Sequence, residues 1–259
     1  MIVAAYQGFS PEGNIESALA KVDETLAKAA DKNVEMVVFP ELYLPGYNQM
    51  KSHHSVAQKQ GESWEIQLSL LAKKHGCGLT LGWAEREGDS IYNSASTFDR
   101  TGKKLAHFRK IQLWGAIEQS IFNFGDSYVT FELAGTKTGL LICYDVEFPQ
   151  HVLALAQMGV QLILVPTANP EMFSVVCDTL VPARASENAL TIVYANYCGS
   201  DNGLSFCGKS TIVGPDAKPL ASAGGNEENL LIANLNSLNQ IEKSLLSTQL
   251  ADFRKVITK

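Results

Sequence analysis

Three side chains carry the chemistry this chain could do. Cys143 ends the short apolar run Leu140-Leu141-Ile142, which reads as a buried β-strand. Polar Asp145 and Glu147 follow at once, and a helical pattern begins after Pro149. A cysteine on a turn between a buried strand and a helix stands where an α/β protein places a reactive group, and the helix N-terminus is expected to favour the thiolate. Glu41 follows the apolar run Met36–Phe39 and lies between Pro40 and Pro45. Lys110 follows the strand-like stretch Lys104–Phe108 and sits beside Arg109, so that one of the two basic residues can face inward. A carboxylate can take the proton of a thiol, and an ammonium can stabilise the negative charge that develops on an attacked carbonyl. Taken singly, each residue has a bland alternative: a core thiol, a loop acid, a solvated lysine. The five histidines, at 53, 54, 75, 107 and 151, offer a poor substitute base. His107 is on a strand before Lys110, and His151 falls inside the helix after Cys143, where it is expected to point away.

The elements that must position these groups alternate between strand and helix. Residues 2–6 form a strand. Asn14 is a plausible N-cap, and Ile15, Ala18, Leu19, Val22, Leu26, Ala29 and Ala30 fall at helical spacing. With the strand at 36–39 they make a strand–helix–strand unit, the element of a parallel pair. A second helix is expected over 63–75, on the same side as the first, followed by strands at 77–84, 91–98 and 104–108, with Asp99–Gly102 as a hairpin turn. Glu118 is placed in a loop running to Asp126. Strands at 128–133 and 137–142 lead to Cys143, and helix 152–158 precedes a strand at 162–165 that ends in Pro166, as the strand before Glu41 ends in Pro40. That repetition hints at two similar layers. A helix over 173–188, strands at 191–195, 207–213, 218–221 and 230–235, and a C-terminal helix over 238–257 complete the pattern.

At this point five segments resemble the nitrilase superfamily of carbon–nitrogen hydrolases: Val37-Val-Phe-Pro-Glu41, Phe108-Arg-Lys110-Ile-Gln-Leu113, Leu141-Ile-Cys143-Tyr-Asp145, Arg184-Ala-Ser-Glu187-Asn188 and Gly208–Pro215. They occur in the family's order over about residues 1–240. Each is weak alone; together they are specific. The resemblance implies an α/β fold built as a four-layer αββα sandwich. It implies Glu41 as general base, Lys110 as stabiliser of the tetrahedral intermediate and Cys143 as nucleophile. Glu118 matches a second glutamate that orients the lysine. The oxyanion hole would pair Lys110 with the backbone N–H of Tyr144, while Tyr47 and Trp114 are candidates to line the substrate pocket. No metal or organic cofactor is implied. The family commonly forms homodimers or higher homo-oligomers through the helices beside the cysteine and the C-terminal region.

The branch is legible in part. True nitrilases usually read Cys-Trp-Glu, whereas this chain reads Cys143-Tyr-Asp145. Carbamoyl-amide hydrolases of the family carry arginines shortly after the cysteine; here the stretch is Val146-Glu147-Phe148, and an acidic Glu147 facing the pocket would disfavour a carboxylate-bearing substrate. An amidase acting on a small carboxamide is therefore expected. The alternatives are a nitrilase, an N-carbamoyl-amide hydrolase, or a non-catalytic binding member of the fold. The 259 residues are read as one carbon–nitrogen hydrolase domain, 1–259, without a linker or low-complexity stretch. A formal net charge of −6 argues against a nucleic-acid or anionic-membrane partner. There is no apolar run long enough for a membrane span and no pattern of a secretory signal. The five scattered cysteines look like reduced thiols, so a cytoplasmic protein is expected.

Overall fold

The short apolar runs pair into two six-stranded sheets in the computed structural model, which describes residues 1–254 and 256. The chain opens with β1 (Ile2–Gln7), α1 (Ile15–Ala30) and β2 (Met36–Val38), and β2 lies parallel to β1 as the strand–helix–strand pattern requires. Asn14 does cap α1: its Oδ1 accepts from the Ser17 N–H at 2.9 Å. One turn of helix, α2 (His53–Val56), and then α3 (Ser63–His75) lead to β3 (Gly78–Glu87), β4 (Ser90–Phe98) and β5 (Lys104–Arg109). After α4 (Gly115–Ile121) come β6 (Thr130–Leu133) and β7 (Thr136–Leu140), then a 3-10 turn, Cys143–Glu147, that runs into α5 (Pro149–Gln157). Next are β8 (Leu162–Pro166), α6 (Val181–Glu187) and β9 (Thr191–Ala195), followed by the small hairpin β10 (Ser200–Asp201) and β11 (Leu204–Ser205). The path ends with β12 (Thr211–Val213), β13 (Pro219–Ser222), β14 (Asn229–Asn234) and α7 (Gln249–Asp252).

The first sheet has the order β14-β1-β2-β3-β4-β5, the second β13-β12-β9-β8-β7-β6. In each, three strands run parallel: β1, β2 and β3 in one, β7, β8 and β9 in the other. Antiparallel strands flank each trio, one on one side and two on the other. The two similar layers hinted at by the repeated strand-then-proline pattern are thus present.

Side-chain alternation along the strands decides the layering. Val3, Ala5, Met36 and Val38 join one core with Leu140, Leu164 and Val193 of the second sheet. Their neighbours Ala4, Tyr6, Val37 and Phe39 belong to a second core with Val22 and Leu26 of α1 and Trp64 and Leu68 of α3. On the far side of the second sheet, Val152 and Leu155 of α5 and Val181 and Ala185 of α6 cover it. The order of layers is helix, sheet, sheet, helix: the expected αββα sandwich. Among the described residues no helix is long and apolar enough to cross a membrane.

Three elements differ from expectation. Glu118 lies on α4, not in a loop, and its Oε2 accepts the Trp114 N–H at 2.8 Å at the start of that helix. The helix expected over 173–188 is divided into a 3-10 turn at Glu171–Phe173, a π-helical turn at Val176–Leu180 and α6. Pro182, with no N–H to give, interrupts the usual bonding there. The C-terminal helix expected over 238–257 is two 3-10 turns (Leu235–Gln240, Lys243–Leu245) and α7, its positions 255 and 257 lying outside the described residues. Polar side chains compete for backbone partners in this stretch: Ser237 Oγ donates to Asn234 O at 2.8 Å and Ser247 Oγ to Glu187 O at 3.0 Å.

Candidate active site

The strand ends of both sheets meet at one place, and the sequence-predicted residues converge there. Glu41 follows β2. Its N–H donates to Thr167 O, just beyond β8, at 3.2 Å, and Tyr197 OH donates to its carbonyl at 2.9 Å. The next residue, Leu42, has φ +46°. This tight turn lies on Gly82 of β3, where a Cβ would come within 2.4 Å of Leu42 N and 2.8 Å of Glu41 Cα. Alternation at the end of β5 separates the two basic residues. Arg109 turns outward, donating to Glu85 at 2.6 Å and lying 3.8 Å from the Tyr92 ring centroid, while Lys110 turns inward. Gly125 lets the following loop close over Lys110: its N–H donates to Lys110 O at 2.7 Å, where a Cβ would meet Arg109 O at 2.1 Å.

Lys110 is 0% exposed, as is Glu41, and Glu118 is 1% exposed. Lys110 Nζ donates to Glu41 Oε1 at 2.6 Å and to both oxygens of Glu118 at 2.9 Å. Tyr47 OH donates to Glu118 Oε1 at 2.6 Å, and Asn93 Nδ2 donates to Glu41 Oε1 at 2.7 Å. Glu41 Oε2 is buried with no hydrogen-bond partner among the described residues, so it is the lone-pair site available for a proton. Buried charges survive only when paired and hydrogen-bonded, and here one ammonium sits between two carboxylates. Burial alone would push Lys110 down, but Glu118 and Glu41 more than offset it and hold the ammonium well above its ordinary range. Burial, opposed by Lys110 and reinforced by Glu118, pushes the Glu41 carboxyl up.

Cys143 is 9% exposed and opens the 3-10 turn with φ +46°. A non-glycine residue in this region costs about 1–3 kcal/mol and persists only where its surroundings impose it. Asp145 supplies part of that constraint. Its Oδ2 accepts the Ile142 N–H at 3.0 Å and its Oδ1 the Gln112 N–H at 2.6 Å, tying the cysteine turn to the loop after Lys110. Burial pushes the Asp145 carboxyl up to about 7. The expected lowering of the thiol pKa does not occur. Burial and the negative charge of Glu41 raise Cys143 well above an ordinary thiol, outweighing Lys110, the Ala168 N–H and Thr167. The resting sulfur is a thiol, and a base must take its proton. Neither histidine weighed for that task is placed for it: His107 bonds Glu85 at 2.8 Å, and His151 bonds Tyr128 OH at 2.7 Å.

Cys143 opens into a cavity of about 190 Å³ whose walls include Tyr47, Trp114, Tyr144, Glu147, Asn169 and Phe173. The Trp114 ring meets Phe173 edge-on at 5.7 Å between centroids. All seven residues singled out from the sequence are therefore gathered in one cluster and its cavity. The sequence pattern gives no sign of the bracing roles of Asn93 and Asp145, whereas the loop 169–178, expected to help set the pocket's size, does supply Asn169, Pro170 and Phe173 to its wall. Asn93 is buried in β4 among the polar residues Ser94, Ser96 and Thr97, so its sequence surroundings do not set it apart. Among the described residues no group of three or more His, Cys, Asp or Glu side chains is arranged to hold a metal ion.

The carbon–nitrogen hydrolase family model matches residues 2–242. A Pseudomonas protegens protein named "Hydrolase in pqqF 5' region" is 36% identical over 257 residues, covering 98% of this chain and 89% of that one. An (R)-stereoselective amidase from a Pseudomonas species is 34% identical over 217 residues, covering 83% and 78%. Among solved structures, a double mutant of the amidase from Nesterenkonia sp. AN1 in complex with acrylamide superposes with a TM-score of 0.89 at 32% identity, covering 98% of this chain and 94% of that one. Other forms of that amidase hold butyramide or carry the acetamide moiety of fluoroacetamide added covalently at the active site cysteine.

Proposed function

This chain belongs to the carbon–nitrogen hydrolase family, and we propose that it is an amidase converting a small carboxamide to the carboxylate and ammonia. The observation that carries this reading is the fully buried Lys110, held between Glu41 and Glu118 beside the cavity onto which Cys143 opens. The amides bound by the Nesterenkonia amidase support the substrate class.

Glu41 takes the proton of the Cys143 thiol as sulfur attacks the amide carbonyl. The oxyanion is stabilised by Lys110 and the Tyr144 N–H, a contribution that grows as charge develops in a dry site. Glu118 grips Lys110 with both oxygens, so one N–H can turn to the oxyanion while another bond persists. Protonated Glu41 then passes its proton to the amide nitrogen. The C–N bond breaks, ammonia departs and a thioester remains. Glu41 deprotonates a water that attacks the thioester; the C–S bond breaks, the sulfur recovers its proton and the acid leaves. Burial raises the Glu41 carboxyl above its ordinary range, which strengthens it as an acceptor of the thiol proton.

Ammonia release from butyramide, an aromatic amide, an amino-acid amide, the matching nitriles and an N-carbamoyl amino acid tests the assignment, each assayed beside Cys143→Ala. Release from amides alone, abolished in the variant, is expected; release from nitriles or from the carbamoyl compound in their place overturns it. The shared core between the sheets supports one catalytic domain. The exposed Leu153, Leu250 and Phe253, on α5 and the C-terminal segment, support a homodimer packed through that face.

A further inference from the structure

One carboxylate of the cavity has no part in the steps above. Glu147 closes the 3-10 turn that Cys143 opens and lines the cavity with Trp114, Tyr144 and Phe173. Its side chain is half-buried. Among the described residues its carboxylate accepts no hydrogen bond and forms no ion pair. The hydrogen bonds of the neighbouring guanidinium go elsewhere: Arg184 Nη2 donates to the Glu147 carbonyl oxygen at 2.7 Å and Nη1 to Glu187 Oε1 at 3.2 Å, while its Nε has no partner among the described residues. Arg184 thus fixes the backbone of Glu147 while leaving its carboxylate unpaired. A carboxylate partly withdrawn from water without a partner is unfavourable, and a ligand that pairs with it recovers that loss.

The rest of the site reinforces this polarity. Among the described residues the ammonium beside the cavity is that of Lys110, which already faces two carboxylates, so its charge is spoken for. Four aromatic residues, Tyr47, Trp114, Tyr144 and Phe173, line the cavity with Glu147, and aromatic rings can attract cations. The cavity is small, at about 190 Å³, which suits short substrates. On the premise that the chain is an amidase, we propose that Glu147 and the surrounding aromatic walls form a subsite for a cationic substituent. The preferred substrates are then short carboxamides bearing a protonated amine.

The test uses three amides of matched length: butyramide, 3-aminopropanamide, in which an ammonium replaces the terminal methyl, and malonamate, which is anionic. kcat/KM is measured for wild type and Glu147→Gln. Wild type is expected to favour 3-aminopropanamide over butyramide by roughly 10–100-fold, the scale of one hydrogen bond to a charged group, and to reject malonamate. That ratio is expected to collapse towards unity in Glu147→Gln. As a measurement independent of any variant, propylammonium should protect wild-type Cys143 from iodoacetamide, and propionate should not. Turnover of butyramide with no preference for the cationic amide, or a preference unchanged in Glu147→Gln, overturns this inference and leaves the amidase assignment standing. Equal protection by the two ions also overturns it. Turnover of none of the three amides, with Cys143 still alkylated, counts against the amidase assignment itself.

Discussion

Replacing Lys110 with methionine keeps an apolar stem reaching the Cε position, with a thioether in place of one methylene, and removes the ammonium. Glu41 and Glu118 are then left facing each other at 0% and 1% exposure with no counter-charge. Deleting one partner of a buried pair costs about 3–5 kcal/mol, and in a domain of this size each 1 kcal/mol lowers Tm by roughly 2–4 °C. The loss depends on pH with a definite sign. Glu41 is already raised by burial against the pull of Lys110; without that pull, burial and its like-charged neighbour raise it further. A carboxyl with a folded pKa above its unfolded value of about 4.3 contributes stability that is fully present below the unfolded value. That contribution is lost as pH rises through the folded value, by up to about 1.4 kcal/mol per pH unit for each extra proton the folded state holds. Lys110→Met should therefore unfold in urea close to wild type at pH 5 and lie about 3–5 kcal/mol below it at pH 8. Its kcat at neutral pH should fall by roughly 10²–10³, as for loss of an oxyanion donor. A stability loss equal at both pH values, or under about 1 kcal/mol at pH 8, would refute the ionic description of the cluster. A fall in kcat smaller than about tenfold would remove Lys110 from the oxyanion hole.

Glu41 must be ionised to take the thiol proton, so kcat/KM should rise with pH through its raised pKa, placing the acid limb above the usual carboxylate range; Glu41→Gln should flatten that limb and slow alkylation of Cys143 by iodoacetamide at neutral pH. An acid limb at the ordinary glutamate value in wild type would contradict the burial of Glu41 in the working enzyme. Gly82→Ala places a methyl 2.4 Å from Leu42 N, an overpacking worth about 1–3 kcal/mol. Because the turn that must yield carries Glu41, kcat should drop in molecules that remain folded; a variant with lowered Tm and unchanged kcat would show that the turn moves without its carboxylate.

Local pattern sufficed for much of this protein. The apolar periodicities along β1, α1, α3 and β3 to β5 marked elements close to those observed, because side-chain direction along a strand or helix follows from backbone geometry alone. The motifs around Glu41, Lys110 and Cys143 were legible because each acid, base or thiol stands just past a strand, and strand ends are readable from where an apolar run stops. The differences have the same root. Two helical turns around Glu118 are too few to show a period, so the stretch reads as a loop, and the spaced leucines of 238–257 read as a helix because they outweigh, on paper, the serines and asparagines that bond the backbone locally. Nothing in the sequence reveals that burial raises the Cys143 thiol, and the sequence leaves open whether Glu147 faces the pocket, which it does. Glu41 and Lys110 are 69 residues apart in the chain and 2.6 Å apart in space. That distance is set by how strand ends align within the first sheet. The depth at which Cys143 meets the pair is set by two sheets packing face to face, and protonation states follow from the water that this packing excludes. Sequence determined which groups are present and on what elements; only the tertiary structure decided which of them share a dry space, because burial and pairing arise between segments that are distant along the chain.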